Sequence, residues 1–201
     1  LISQAAAHQE SEELEMALNA LDQAVEIDPL YAQTHFNRGE VLFALHRYQE
    51  AKQAFQRAID EDVCPLRIVS EMRPVITEVA SQYDVPVVDF QKLLENKTKT
   101  GITGEEWFLD HVHTNIEGYR ELALNLFGEL QSQGIVAPET QWNEEARQKV
   151  DSAVMAGIDD RAQGVALRTL AKVLSWARKY EEAGRLSQLA TEKLSDDAEV
   201  H

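Results

Sequence analysis

Arg47-Tyr48-Gln49-Glu50-Ala51 opens the stretch that decides the fold, a predicted helix with apolar residues on one face. Ala51 and Phe55 lie four positions apart, so they occupy the same face of that helix. Ala17 and Leu21 show the same spacing 34 residues earlier. A fixed period of this length indicates a repeat whose unit is a pair of antiparallel helices.

The period predicts a complete second repeat, with helices over Tyr31–Leu45 and Tyr48–Asp60. This pattern resembles the tetratricopeptide repeat (TPR), a helical module that binds proteins. The turn sequence recurs near the other end as Tyr180-Glu181-Glu182-Ala183, which predicts a further TPR-like hairpin there. Leu1 falls inside the first repeat, so we expect the chain to be a piece of a longer protein.

The residues between the repeats follow a different pattern. Leu66–Tyr83 reads as an amphipathic helix that Pro74 starts or kinks. Asp84-Val85-Pro86-Val87-Val88-Asp89-Phe90 is rich in valine and predicts a strand. No comparable strand is predicted elsewhere, so this one either adds to a sheet from outside the sequence or is merely extended. Pro138–Trp142 is predicted to be a linker or a cap, and two or three helices follow it, broken near Gly157–Asp160.

Candidate catalytic residues lie in Asp110-His111-Val112-His113, just before a predicted helix. Thr114 and Glu117 form a capping box, which places the start of this helix at Thr114. The helix is predicted to run to Gln131 and to stop at Gly134. Asp110 and His113 are expected to come within hydrogen-bonding reach, with His113 facing a cleft at the end of the valine-rich strand.

The valine-rich strand followed by Asp-x-x-His resembles the last strand and last sequence block of SGNH (GDSL-type) hydrolases. In that family a parallel sheet is sandwiched by helices, the His is the general base, and the Asp orients it. The resemblance therefore implies that His113 is a base and Asp110 its orienting carboxylate. The family's nucleophilic Gly-Asp-Ser block and its oxyanion-hole residues have no match in this sequence.

The chemistry of the pair follows from what serine catalysis requires. A serine hydroxyl becomes a useful nucleophile only when a neighbouring base takes its proton. Imidazole suits that task near neutral pH, and a carboxylate on its other nitrogen fixes the tautomer. A base without a serine has nothing to activate, so this chain is predicted to be inactive alone. An ester is the expected substrate only if an upstream segment completes the site.

Two other interpretations of this stretch remain open. Asp110 and His113 could simply form a polar, well-bonded loop before a helix. Asp110, His111 and His113 are also possible zinc ligands, but ligands so close in sequence rarely reach tetrahedral geometry together. We therefore predict no metal and no cofactor. Cys64, the single cysteine, is interpreted as a structural or bystander thiol.

The amino-acid composition limits the kinds of partner that the chain is expected to bind. The formal net charge is −16 and the pI about 4.7, which argues against nucleic acid and anionic membrane surfaces. No apolar run approaches the ~20 residues that a membrane-spanning helix needs. The expected partner is a protein or peptide bound by the TPR-like helices.

These observations predict a mostly α fold in which TPR-like hairpins flank a small α/β segment. The predicted domains are residues 1–64 (TPR-like repeats), 65–135 (the hydrolase-like part) and 136–201 (a C-terminal helical repeat region). The predicted function is that of the C-terminal part of a TPR-containing SGNH-type ester hydrolase. The alternative is a TPR scaffold that binds proteins and catalyses nothing.

Overall fold

The computed structural model of the chain describes residues 1–64, 68–110, 112–137, 139 and 142–194. These residues contain ten helices and no strand, so the fold is mostly α. The helices are α1 (Ile2–Glu10), α2 (Leu14–Ile27), α3 (Ala32–Ala44), α4 (Tyr48–Asp60), α5 (Met72–Gln82), α6 (Phe90–Lys97), α7 (Ile116–Ser132), α8 (Glu144–Ala156), α9 (Asp160–Trp176) and α10 (Tyr180–Lys193).

The chain divides into two compact units. The first comprises Leu1–Phe108 and Asn115–Asn125, and the second comprises Leu109–Thr114 and the chain from Leu126 onward. The three domains expected from the sequence, with boundaries after residues 64 and 135, stay a prediction. None of the helices described above is long and apolar enough to cross a membrane.

In the first unit, α1–α2 and α3–α4 form two hairpins that turn in the same way. Glu12 and His46, which stand 34 residues apart, adopt φ values of 60° and 59° between the paired helices. The amide of the next residue then bonds back across the turn: Glu13 N to His8 O at 2.8 Å and Arg47 N to Leu42 O at 2.9 Å. This bonding satisfies carbonyl groups at the end of the first helix of each hairpin. The turn recurs with the same 34-residue period as the sequence pattern.

Small residues set the distance between the helices of each hairpin. Ala17 and Ala51 are fully buried in one core with Leu21 and Leu42. A side chain on Gly39 would lie 2.6 Å from the ring of Phe55, so the ring occupies the space that glycine leaves open. The predicted helices of the second repeat agree with α3 and α4 to within one residue at each end.

In the second unit, α9 and α10 form a hairpin with the same turn. Arg178 has φ 62°, and Lys179 N bonds to Leu174 O at 2.9 Å. Ala183 follows Arg178 by five residues, as Ala51 follows His46, and is likewise buried. The predicted break near Gly157–Asp160 separates α8 from α9.

The predicted strand Asp84–Phe90 is wrong. Val85–Asp89 has no regular secondary structure, and Phe90 begins α6. The side chain of Asp89 accepts a hydrogen bond from Lys92 N and so caps this helix. A strand needs a neighbouring strand to take up its backbone hydrogen bonds, and the described residues supply none. The predicted α/β segment is therefore absent from the part of the chain that the structure describes.

Two helix starts also differ from prediction. The helix expected over Leu66–Tyr83 is α5, which begins only at Met72, so Pro74 sits in its first turn, where proline is tolerated. Pro65, Leu66 and Arg67 lie outside the described residues. The helix expected from Thr114 begins at Ile116, since the Asn115 side chain accepts from Gly118 N at 3.0 Å in place of a Thr114 cap.

Two predictions about the later part of the chain have mixed outcomes. Gly134 adopts φ 68° two residues after the end of α7, which confirms the predicted stop. The predicted linker Pro138–Trp142 lies largely outside the described residues, which include only Glu139 and Trp142 of it. The Trp142 ring packs edge-on against Phe127, with 5.5 Å between ring centroids.

Candidate functional site

Asp110 organises a tight loop at the site that the sequence indicates. Its Oδ1 accepts hydrogen bonds from Val112 N at 2.8 Å and from His113 N at 2.7 Å. Leu109 N donates to His113 O at 2.8 Å and closes the loop from the backbone side. One carboxylate oxygen thus satisfies two backbone amides, and the other oxygen is left for a side chain.

That second oxygen holds His113. Asp110 Oδ2 and His113 Nδ1 are 2.7 Å apart. The Asp110 side chain is 4% exposed, whereas that of His113 is 62% exposed. The carboxylate is therefore sheltered, and the imidazole, anchored through Nδ1, extends into solvent.

The Asp110 carboxyl is held in its charged form. Burial alone would raise its pKa, but the backbone hydrogen bonds from His113 and Val112 and the contact with the His113 ring together hold that pKa below its ordinary value. Asp110 therefore stays ionised to a lower pH than an ordinary aspartate does. An ionised partner favours the His113 tautomer that carries its proton on Nδ1.

The C-terminal hairpin supports this loop. Arg185 Nη2, on α10, donates to the carbonyl of Leu109 at 2.7 Å. The Leu109 side chain packs against the hydrophobic core of α9 and α10, as those of Leu170 and Leu189 do. The residue directly before Asp110 is thus held through both its backbone and its side chain.

The arrangement contains two of the groups that activate a nucleophile, an imidazole and a carboxylate on its Nδ1. An imidazole whose Nδ1 is held by a carboxylate can accept a proton at Nε2 and remain stabilised as imidazolium. No hydroxyl of the described residues hydrogen-bonds to His113. His111, required by the zinc interpretation, lies outside the described residues.

The structure also forms a cleft that the sequence did not indicate, within the N-terminal hairpin α1–α2. It has a volume of about 460 Å³. Side chains from both helices line it, among them Gln4, His8, Met16, Asn19, Ala20 and Gln23. Asn19 and Gln23 hydrogen-bond to each other at 2.6 Å along the α2 wall.

The sequence predicted the contact between Asp110 and His113, but not where in the fold that contact lies. The expected position at the end of a Val85–Phe90 strand is wrong, because that strand does not exist. Arg185 was missed, since 76 residues separate it from Leu109 and no local motif links the two. A catalytic role for Asp110 and His113 stays a prediction.

Comparison with known families agrees with the N-terminal hairpins. The Tetratricopeptide repeat family model matches residues 32–62, and a second model, described as TPR repeat, matches residues 7–46. Neither describes a hydrolase. No curated protein matches the chain. Residues 7–62 are thus similar to tetratricopeptide repeats in their match to these models, and they share a 34-residue period and a common turn.

Proposed function

We propose that the chain is a scaffold that binds a protein partner, and that the α1–α2 cleft receives a segment of that partner. The observation that carries the proposal is the presence of tetratricopeptide repeats over residues 7–62, a module that generally mediates binding between proteins. The cleft gives these repeats a concave surface of a size that fits a few side chains.

The lining of the cleft suits a peptide. The amide side chains of Gln4, Asn19 and Gln23 can each donate and accept hydrogen bonds, as a peptide backbone requires. Met16 is 53% exposed and offers a flexible apolar surface that adapts to different side chains. The cleft therefore combines directional polar groups with an adaptable apolar contact.

The test is a selection of displayed random peptides against the purified chain, followed by affinity measurements on variants. Met16→Glu removes the apolar contact and adds a second carboxylate beside that of Glu15, so it is expected to weaken the selected peptides about tenfold or more. Met72→Glu is the matched control, because Met72 is also 53% exposed and also lies in the first turn of a helix. Failure to select any peptide, or equal binding by both variants, would refute the proposal.

A second candidate function rests on the 2.7 Å contact between Asp110 and His113. With the resemblance of this stretch to SGNH hydrolases, it supports a role as the orienting carboxylate and general base of an ester hydrolase. The nucleophilic serine and the oxyanion-binding groups would come from a segment upstream. Within the described residues the pair has the geometry of a base and its orienter without a serine to act on.

Hydrolysis of p-nitrophenyl acetate tests this second function on three proteins. The 201-residue chain is expected to show negligible turnover. A longer form that carries an upstream Gly-Asp-Ser block is expected to hydrolyse the ester, and His113→Ala in that form to remove most of the rate, on the order of 10²–10⁴-fold. An inert long form, or one indifferent to His113→Ala, would leave the binding scaffold as the function.

A further inference from the structure

The loop that carries Asp110 and His113 is closed by hydrogen bonds among its own residues. Leu109 N donates to His113 O at 2.8 Å, and Asp110 Oδ1 accepts from the amides of Val112 and His113. These bonds fix the shape of the loop. They leave its orientation to residues outside it, because a loop bonded only to itself can still tilt about its two ends.

Contacts that orient the loop come from the C-terminal hairpin, the pair of helices α9 and α10. Arg185 Nη2, on α10, donates to the Leu109 carbonyl at 2.7 Å. The Leu109 side chain packs against the core that α9 and α10 share. Residues Leu109–Thr114 also group with these helices in the second compact unit. The loop is therefore anchored at Leu109 by one directional bond and one apolar contact.

Anchoring Leu109 also orients Asp110, because the two residues share a peptide unit. The Leu109 carbonyl and the Asp110 amide lie in one rigid plane. A bond to the carbonyl oxygen limits the rotation of that plane, from which the Asp110 side chain extends. The Asp110 carboxylate is 4% exposed, and its Oδ2 lies 2.7 Å from His113 Nδ1. A shift of about half an ångström would take this contact to the limit of ordinary hydrogen-bond lengths.

An arginine on α10 is well placed to act as this anchor. Ala183 and Leu186, on either side of Arg185 in sequence, are buried in the hairpin, so the helix that carries the guanidinium is itself held. A charged N–H donor forms a shorter and stronger bond to a carbonyl oxygen than a neutral donor does. The planar guanidinium is also preorganised, so little freedom is lost when the bond forms.

We propose that Arg185 is the positioning residue of the Asp110–His113 pair, and that the α9–α10 hairpin is thereby a structural part of the site. Arg185 acts on the pair through the backbone of Leu109. The catalytic meaning of this role rests on the second candidate function proposed above, because a general base needs its orienting carboxylate held in place. The hairpin then controls that function, since any change that displaces α10 also displaces the base.

Arg185→Met tests the role in the 201-residue chain, because methionine keeps an unbranched apolar side chain but has no N–H to donate. Burial alone would raise the pKa of Asp110, and the hydrogen bonds from His113 and Val112 hold that pKa low. A displaced carboxylate loses part of those bonds. The pKa of Asp110 is therefore expected to rise toward or above its ordinary value of ~3.9, which carbon-13 NMR of the carboxyl group measures.

The His113 ring gives a second readout. The ionised Asp110 favours the tautomer with the proton on Nδ1, so a displaced carboxylate is expected to lower the fraction of that tautomer. Nitrogen-15 NMR of the imidazole, at a pH where the ring is neutral, measures the two forms. A loss of global stability alone would change neither readout in the molecules that remain folded.

Three further variants separate positioning from a general effect on stability. Arg185→Lys keeps a charged donor and is expected to restore most of the wild-type Asp110 pKa and tautomer ratio. Arg147→Met removes an arginine that pairs with Glu144 within α8 and is expected to change neither. Leu186→Ala removes buried atoms from the hairpin core but keeps Arg185, so it is expected to lower the urea midpoint with little change in the pair.

The longer form with an upstream Gly-Asp-Ser block adds a kinetic readout. Arg185→Met in that form is expected to lower kcat for p-nitrophenyl acetate about tenfold or more with KM nearly unchanged, because the base is displaced while the groups that bind the ester are not. An inert long form would refute the hydrolase function, and the NMR measurements on the 201-residue chain would still decide the role of Arg185.

Three results would overturn the inference. An Asp110 pKa and a His113 tautomer ratio that stay at wild-type values in Arg185→Met would show that the loop keeps its orientation without this bond. Changes as large in Leu186→Ala as in Arg185→Met would assign the effect to the rigidity of the hairpin as a whole. An Arg185→Lys variant that restores neither value would show that a donor to Leu109 O is not what the pair requires.

Discussion

At the scale of single residues, the missing side chain of Gly39 sets how closely α3 and α4 approach. A methyl group there would lie 2.6 Å from two ring atoms of Phe55, and that ring is itself packed against Phe36 with centroids 5.7 Å apart. The ring therefore has little freedom to move away. Glycine is costly inside a helix, so its presence here reflects this packing requirement.

Gly39→Ala is expected to lower the free energy of unfolding by about 1–3 kcal/mol, because the added methyl group overpacks the hairpin. Gly128→Ala provides the contrast. No atom lies within 4 Å of a side chain built there, and alanine favours the helix more than glycine does. Gly128→Ala should therefore raise the free energy of unfolding by up to ~1 kcal/mol. Urea denaturation of the two variants measures both effects, and an unchanged midpoint for Gly39→Ala would contradict the packing described.

Asp110 gives a prediction for acidic pH. Its pKa is lower in the folded chain than in the unfolded one, so the unfolded state takes up its proton first as the pH falls. The stabilisation is complete above the ordinary Asp pKa of ~3.9 and is lost as the pH falls through the folded value.

Asp110→Asn keeps an oxygen for the two backbone amides but removes the charge. We expect it to cost on the order of 1 kcal/mol at neutral pH, with the difference from wild type shrinking below pH ~4. Denaturation curves at several pH values measure this. A difference that stays constant down to the most acidic pH would show that the carboxylate charge does not stabilise the loop.

The same residues show what sequence can reveal about a site. Asp110 and His113 are three apart in the chain, so a single turn brings their side chains together, and the sequence predicted this contact. The support from Arg185 arises only when α10 packs beside Leu109. A contact of that kind depends on tertiary structure and leaves no local signal.

At the scale of elements, one turn recurs in three hairpins, at Glu12, His46 and Arg178. In each hairpin an alanine five residues later is buried against the partner helix: Ala17, Ala51 and Ala183. The periodic spacing of small and large residues made this element predictable, because the same side chains that form the pattern also form the contact.

Ala51→Leu is expected to destabilise the chain by about 1–3 kcal/mol, because the fully buried alanine leaves no room for three more carbons. Ala44→Leu, at the exposed end of α3, is the control and should have little effect. Urea midpoints compare the two. Equal midpoints would mean that Ala51 does not pack between the helices.

The predicted strand failed at the same scale for a physical reason. Three valines raise the local preference for extended structure, but that preference reflects packing against neighbouring strands more than any property of the backbone. Val85 and Val87 are about half exposed, and Asp89 instead caps α6. The valine-rich composition indicated an extended segment, but whether such a segment pairs with another strand depends on the rest of the fold.

At the scale of the whole molecule, the helical repeats follow from the sequence, and so does the uneven charge of the hairpins. The net charge of −16 describes an acidic protein, yet residues 160–193, which form the α9–α10 hairpin, contain seven Lys and Arg against four Asp and Glu. The N-terminal hairpins, residues 2–60, contain four Lys and Arg against ten Asp and Glu. The net charge of the whole chain therefore conceals a difference between its hairpins.

The segment Val85-Pro86-Val87-Val88 has a consequence for the solubility of the protein. It is apolar, has no regular secondary structure and exposes Val85 and Val87, and unpaired apolar segments of this kind recruit copies of themselves into intermolecular sheets. Pro86 has no amide hydrogen to donate to a growing sheet, and the charge of Asp84 would lie beside that of a second copy. Asp89 is held at the start of α6, where it also pairs with Arg73. We therefore expect Pro86 and Asp84 to lower the tendency of this segment to aggregate.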